Sequence, residues 1–206
     1  SNGLLIQDNN LYACEATGRA MVKYNLKDGP DSREIIASHY SDKQFGSPND
    51  LTVVDNKLYF SEFWLGGRLN PLDEEREIFT NRIYQVTLNN LSVEPVEYAF
   101  EVPNGVAASP DGRKIYMGDI RTNLVYEGNM ENGKLPSIKT FADLSFLEEA
   151  GPDGMTVSKN GTLFVALFRG GKIVVLDSKG NPLGYLSTGP RSTNCILTPS
   201  EDMLYI

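Results

Sequence analysis

Gly151-Pro152-Asp153-Gly154-Met155-Thr156-Val157-Ser158-Lys159-Asn160-Gly161-Thr162-Leu163-Phe164-Val165-Ala166 decides how the rest of the chain is read. Met155 and Val157 alternate with polar neighbours, the period of a half-buried strand. Asn160-Gly161 is a strong two-residue hairpin signal, because both residues tolerate positive φ. Leu163 to Ala166 is the returning strand. Asp153 therefore stands at the mouth of a β-hairpin.

Outward from this stretch the same unit recurs. Asn2-Gly3 leads into Leu4-Leu5-Ile6 and returns at Leu11-Tyr12-Ala13-Cys14. Asn49-Asp50 leads into Leu51 to Val54 and returns at Leu58 to Ser61. Asn104-Gly105 leads into Val106-Ala107-Ala108, turns at Pro110-Asp111-Gly112 and returns at Ile115 to Gly118. Asn194-Cys195 leads into Ile196-Leu197-Thr198 and returns at Leu204-Tyr205-Ile206. Lead positions 2, 49, 104, 153 and 194 recur every 41 to 55 residues. Short strands at that period mark propeller blades, of which a propeller has about four to eight. Each repeat has a second half of strand character: Arg19–Leu26 with Arg33–Tyr40, Asn81–Leu88 with Val93–Phe100, Asn123–Met130 with Ser137–Ala142, and Gly171–Asp177 with Leu183–Ser187. The expectation is an all-β, six-bladed β-propeller of four-stranded antiparallel blades. Residue 2 already holds a lead position and residue 206 falls within a returning strand. The expected domain is thus a single propeller over 1–206, incomplete at both ends, with about four and a half blades. Helical periodicity is weak everywhere; Leu144–Ala150 suggests a short turn at most.

The totals exclude several classes of partner. Lys and Arg number 19 against 27 Asp and Glu, a net charge of −8. Nucleic-acid phosphates and anionic membrane surfaces need clustered cations, so neither is expected. Hydrophobic residues at 40% and charged residues at 22% are those of a soluble globular protein. No apolar run approaches the ~20 residues that span a bilayer. Cytoplasmic and exported locations both stay open. Cys14 and Cys195 form no metal or disulfide spacing, and strand positions suit buried free thiols.

Blade position fixes place in space. Equivalent residues of a rotational array form a ring, so the lead residues should circle one end of the central channel. Asn49, Asn104 and Asp153 then offer amide and carboxylate oxygens from different blades, a donor set for a hard divalent cation such as calcium. The single histidine, His39, sits on an outer strand and suits neither a soft-metal site nor a Ser-His-Asp set. The same channel end collects Glu15, Arg121, Arg169 and Asn194 as candidate substrate contacts. It also carries the long connection Glu62–Thr80, whose Trp64 could wall a pocket. Against each contact stands a structural alternative: a salt bridge, a turn former, or a side chain packed in a loop base.

Ser47-Pro48-Asn49-Asp50, Val102-Pro103-Asn104-Gly105 with Ser109-Pro110-Asp111-Gly112-Arg113, and Gly151-Pro152-Asp153-Gly154, in that order and at blade spacing, resemble the senescence-marker-protein/gluconolactonase (regucalcin-like) family. The resemblance runs from Asn2 to Ile206. It implies one divalent metal in the channel, calcium foremost with other divalent cations open, and hydrolysis of small lactones. It implies metal ligation by Asn49, Asn104 and Asp153, with a further glutamate from a blade before this segment. Two positions depart from the family pattern. Ala16 follows Cys14-Glu15 where many members carry His, and Ser47 stands where an arginine precedes the ligating Asn. A substrate other than an aldonolactone gains ground from both.

Lactone hydrolysis needs a polarised carbonyl, an activated water and a held oxyanion. A cation would serve the first; the leading candidate for general base is Asp153, or the glutamate expected before this segment, with a metal-bound hydroxide as an alternative. Two alternatives remain: a phosphotriesterase or arylesterase-type hydrolase on the same fold, and a non-catalytic ligand-binding propeller.

Overall fold

Strand alternation along the chain builds four antiparallel sheets of four strands each, in the computed structural model. Residues 2–63, 77–78, 80–147 and 151–206 are described. The first sheet contains β1 (Leu4–Gln7), β2 (Asn10–Glu15), β3 (Ala20–Asn25) and β4 (Glu34–Ala37). A small hairpin of β5 (His39–Tyr40) and β6 (Lys43–Gln44) follows. The second sheet contains β7 (Pro48–Val54), β8 (Lys57–Glu62), β9 (Arg82–Thr87) and β10 (Ser92–Pro95). The third contains β11 (Pro103–Ala108), β12 (Lys114–Asp119), β13 (Leu124–Asn129) and β14 (Ile138–Asp143). The fourth contains β15 (Gly151–Val157), β16 (Leu163–Phe168), β17 (Lys172–Leu176) and β18 (Pro182–Ser187). A two-stranded piece, β19 (Ile196–Leu197) with β20 (Leu204–Tyr205), closes the sequence. The fold is all-β, and the four sheets are propeller blades with strands in sequence order. Among the described residues the only helical element is a 3-10 turn at Pro30–Ser32, and no helix is long and apolar enough to cross a membrane.

Two compact units divide the chain, residues 1–103 and 104–206. In the first, Phe45 meets the Phe60 ring edge-on at 5.1 Å, and Tyr84 lies 5.6 Å from Phe60. Tyr12, Met21, Leu51, Leu58 and Val86 complete that core. In the second, the core is mainly aliphatic: Met155, Leu163, Val165, Leu167, Val174 and Leu176 pack with Val125 and Leu144, and Tyr116 joins them with its ring edge-on to Phe141 at 5.0 Å. β11 and β15 are buried along nearly their whole length, whereas β18 is exposed at all six residues. That gradient separates inner from outer strand in the third and fourth blades, whereas the first blade's inner strand β1 is exposed at Leu4 and Ile6.

Several expected boundaries move. Asn160-Gly161 does not form a two-residue turn. Val157 pairs with Leu163, and residues 158–162 form the loop. Gly161 alone takes positive φ, at 84°, and donates its N–H to Ser158 O. The Ser158 hydroxyl, bonded to Asn160 Oδ1, stabilises this wider loop over the tight turn. The expected outer strand Arg33–Tyr40 breaks after Ala37, and His39 belongs to the β5–β6 hairpin, whose Ser41-Asp42 turn has φ of 50° and 63°. Val93–Phe100 shortens to β10, which stops at Pro95 because proline cannot donate to a ladder. Leu144–Leu147 makes a single turn, and residues 148–150 lie outside the described part. Cys14 and Cys195 are buried free thiols; burial, then the charges of Asp50 and Glu62, pushes the Cys14 thiol well up.

Candidate functional site

Two of the lead residues sit on β-bulges of the same construction. In β7 the ladder steps from Pro48 opposite Glu62 to Leu51 opposite Phe60, leaving Asn49 and Asp50 in the bulge. In β15 it steps from Pro152 opposite Leu167 to Met155 opposite Val165, leaving Asp153 and Gly154 there. One extra residue breaks the strict in-out alternation and re-aims a side chain, which is why bulges gather beside sites.

In the second unit, Asn104 and Asp153 lie on adjoining inner strands. A Cβ on Gly105 would stand 1.9 Å from the Asp153 carbonyl oxygen, so only glycine lets β11 and β15 approach this closely. Asn104 is 4% exposed, and its Oδ1 accepts no hydrogen bond from the protein. Asp153 is 8% exposed. Gly154 donates its N–H to Thr193 O at 2.9 Å, tying the fourth blade's inner strand to the segment that carries Asn194.

In the first unit, Asn49 is half-buried and its carbonyl accepts the Gly3 N–H at 2.7 Å. The backbone before it is engaged as well. Glu62, with no exposed surface, accepts the N–H groups of Gly46 and Ser47, and Ser61 Oγ accepts that of Asp50.

The other sequence-predicted residues have these positions. Glu15 closes β2 and holds Arg33 through Oε1 at 3.1 Å and Oε2 at 2.5 Å, with the Tyr24 hydroxyl on Oε1 at 2.9 Å. The Arg33 guanidinium, helped by Tyr24, keeps the Glu15 carboxyl below its usual range. Arg121 is exposed, and its backbone N–H caps Asp119 Oδ1. Arg169 is exposed at φ 66°, its guanidinium 5.2 Å from the Phe168 ring centre. Asn194 is exposed, and its Oδ1 accepts the Cys195 N–H. Trp64 and most of the Glu62–Thr80 connection lie outside the described residues.

Glu62 and Asp119 are buried acids that sequence reasoning does not single out, since a charge at a strand end usually means a solvated face. A signal existed: Glu15 and Glu62 each fall thirteen residues after a lead asparagine. Asp119 closes β12 in the same way, fully buried, with Oδ1 accepting the N–H groups of Arg121 and Thr122.

The second unit's donor set fits a hard cation. A buried amide oxygen left without a donor costs about 1–3 kcal/mol. A cation beside it would supply the missing positive partner, and amide and carboxylate oxygens are what calcium takes. Among the described residues no three His, Cys, Asp or Glu side chains gather, so such a site would rest on amides with Asp153 as its carboxylate.

The family described as SMP-30/Gluconolactonase/LRE-like region matches residues 1–206. A gluconolactonase of Zymomonas mobilis is 28% identical over 221 residues, taking in all of this chain and 60% of that protein. The lactonase drp35 of Staphylococcus saprophyticus is 26% identical over 219 residues, with 97% of this chain and 62% of its own length. The chain thus spans about three fifths of these relatives. A solved gluconolactonase from Xanthomonas campestris superposes with a TM-score of 0.84 at 24% identity, over 98% of this chain and 67% of that one.

Proposed function

The chain belongs to the SMP-30/gluconolactonase/LRE-like family, and from that premise we propose that it carries the metal-holding and catalytic side of a hydrolase of small lactones. The single observation that supports this reading most is Asn104 Oδ1, a buried acceptor without a hydrogen bond on the strand that touches Asp153. Asn49, Asn104 and Asp153 would hold one divalent cation, calcium by the hardness of their oxygens. Bound there, such an ion supplies Lewis acidity toward a carbonyl oxygen.

The chain's own groups supply the rest. Asp153 is nearly buried, so its carboxylate meets few competing waters. It takes a proton from the water that attacks the lactone carbonyl carbon. The ring C–O bond then breaks, and the departing alkoxide oxygen receives that proton, giving a hydroxy acid. Asn104 and Asn49 carry no charge, which leaves Asp153 the one group of the three able to move a proton. Arg121, Arg169 and Asn194 are open to solvent and available to meet substrate hydroxyls or a carboxylate product. Glu15 is committed to Arg33 and Tyr24, so its part would be to brace the first blade's end.

A lactone panel with and without chelator tests this reading, beside calcium calorimetry on the same protein. Asp153→Asn should lower lactone turnover by about 10²–10⁴-fold, the usual contribution of a general base. It should also weaken calcium binding more than either Asn variant, since it removes the only charge. Unchanged calcium affinity in Asp153→Asn would overturn the ligand assignment. Phosphotriester cleavage without lactone turnover would reassign the substrate, and neither activity with calcium bound would make this a binding propeller.

A further inference from the structure

The approach to Asn49 is held along its backbone, residue by residue, by side chains from elsewhere in the first unit. Buried Arg19 donates Nε to Phe45 O at 2.7 Å. Glu62 accepts Gly46 N–H at 2.8 Å and Ser47 N–H at 2.9 and 3.0 Å. Gly3 N–H satisfies Asn49 O at 2.7 Å, and Ser61 Oγ takes Asp50 N–H at 3.1 Å. The contacts flank the bulge on both sides.

Glu62 is the unusual member. A carboxylate with no exposed surface is expensive unless its oxygens are filled by hydrogen bonds. Here backbone N–H groups fill them, and bonds to an ionised acceptor are short and about twice as strong as neutral ones. In the third blade the corresponding acid, Asp119, folds back on its own loop instead. Glu62 reaches across to the strand entry that carries the lead asparagine. An amide on a bulge has no ladder to fix its direction, so its aim depends on the φ and ψ of residues 47 to 50. Those are the torsions that Glu62 and Ser61 hold.

We propose that Glu62, assisted by Ser61, is a positioning residue that aims the Asn49 amide at the cation; this rests on the reading of Asn49 as a ligand. Groups that orient a ligand from behind change metal affinity by about 10–100-fold when altered. Glu62→Gln keeps the size and one acceptor oxygen, but turns an NH₂ toward N–H donors.

Calcium calorimetry on four proteins tests the proposal: wild type, Glu62→Gln, Asn49→Ala and the double variant. Glu62→Gln should weaken calcium binding about tenfold or more. The double variant should bind calcium as weakly as Asn49→Ala alone, because a residue acting through Asn49 has nothing left to aim once that amide is gone. A merely structural Glu62 would not produce that coupling. Full additivity in the double variant, or unchanged affinity in Glu62→Gln beside a weakened Asn49→Ala, overturns the positioning role and leaves the ligand reading standing. Unchanged affinity in Asn49→Ala overturns the ligand reading and the positioning role with it. Should Glu62→Gln fail to fold, the same cycle runs with Ser61→Ala, which deletes one acceptor and little volume.

Discussion

Both units pack inner strands through glycine, but the first adds a clamp of side chains. Each brings neighbouring inner strands into close contact beside its lead residues. The first adds side chains to a glycine contact: a Cβ on Gly3 would stand 2.8 Å from Asp50 Cα, and Arg19, Ser61 and Glu62 clamp the backbone around Asn49. The second relies on glycine. Gly105 faces the Asp153 carbonyl, Gly151 would place a Cβ 2.8 Å from Ile120 Cα, and Gly154 would place one 2.2 Å from Asn194 Oδ1. The hairpins differ in parallel. β1–β2 and β7–β8 turn in two residues, with Asp8, Asn9 and Asp55 at positive φ, while the second unit's first hairpins use five-residue loops closed by Gly112 and Gly161. The cores differ in emphasis: three packed rings centre the first unit's, and aliphatic side chains with the Tyr116–Phe141 pair fill the second's. A clamp can be loosened one hydrogen bond at a time, whereas a glycine contact fails when a single methyl group arrives.

Gly105→Ala should therefore have the largest effect. The added carbon cannot be absorbed by a flexible side chain, since its nearest neighbour at 1.9 Å is backbone oxygen. A forced shift of β11 from β15 should destabilise by about 3 kcal/mol, the upper end of overpacking costs. Urea unfolding measures this, and calcium affinity should fall with it because Asn104 and Asp153 move apart. Stability within error of wild type would show that the strands are not in the contact described.

The next effect has the opposite sign. Asn104→Leu replaces the unpartnered amide with an apolar group of similar size, so chelator-treated protein should gain about 1 kcal/mol, the lower end of the cost of an unsatisfied buried acceptor. The same variant should lose the calcium-dependent rise in melting temperature. Retention of that rise would take Asn104 out of the ligand set. A stability gain bought with lost binding is what a functional polar group predicts.

Much of this was legible in the sequence, for physical reasons. Strand period is a local property, so the blades follow from residues alone, whereas the bulges that hold Asn49 and Asp153 appear only in the strand registers. Asn49, Asn104 and Asp153 stand out because an Asn or Asp recurs in phase at the head of successive repeats. Loop width was not legible, because Asn160-Gly161 fits a tight turn until the Ser158 hydroxyl competes for the backbone. Glu62 was not legible either: its partners, Gly46 and Ser47, lie about fifteen residues back, and only the folded blade brings them to it. For Glu15 the sequence leaves substrate contact and salt bridge both open, and nothing local names Arg33, at the entry to β4, as the partner that reaches it past β3.

The smallest expected effect compares one acid from each unit. Glu15 is held below its usual range first by the Arg33 guanidinium, then by Tyr24. Burial pushes Glu127 upward, but the Lys114 and Lys139 ammonium groups, at 2.8 and 3.0 Å, together outweigh it. Both carboxyls therefore bind a proton less readily folded than unfolded. Their stabilisation is complete above the ordinary glutamate value near 4.5 and disappears as pH falls through the lower folded value. Arg33, Lys114 and Lys139 are each a third or more exposed, so solvent screening holds either contribution to about 1 kcal/mol or less. Glu15→Gln and Glu127→Gln should each melt lower than wild type at pH 7, and each difference should shrink as pH falls below the ordinary glutamate value and through the lower folded one. The Glu15 variant should be the more affected, because a guanidinium grips two oxygens in one plane and an ammonium does not. Melting curves at four or five pH values decide it, and a gap that persists at low pH would mean that packing, not charge, holds that end of the blade.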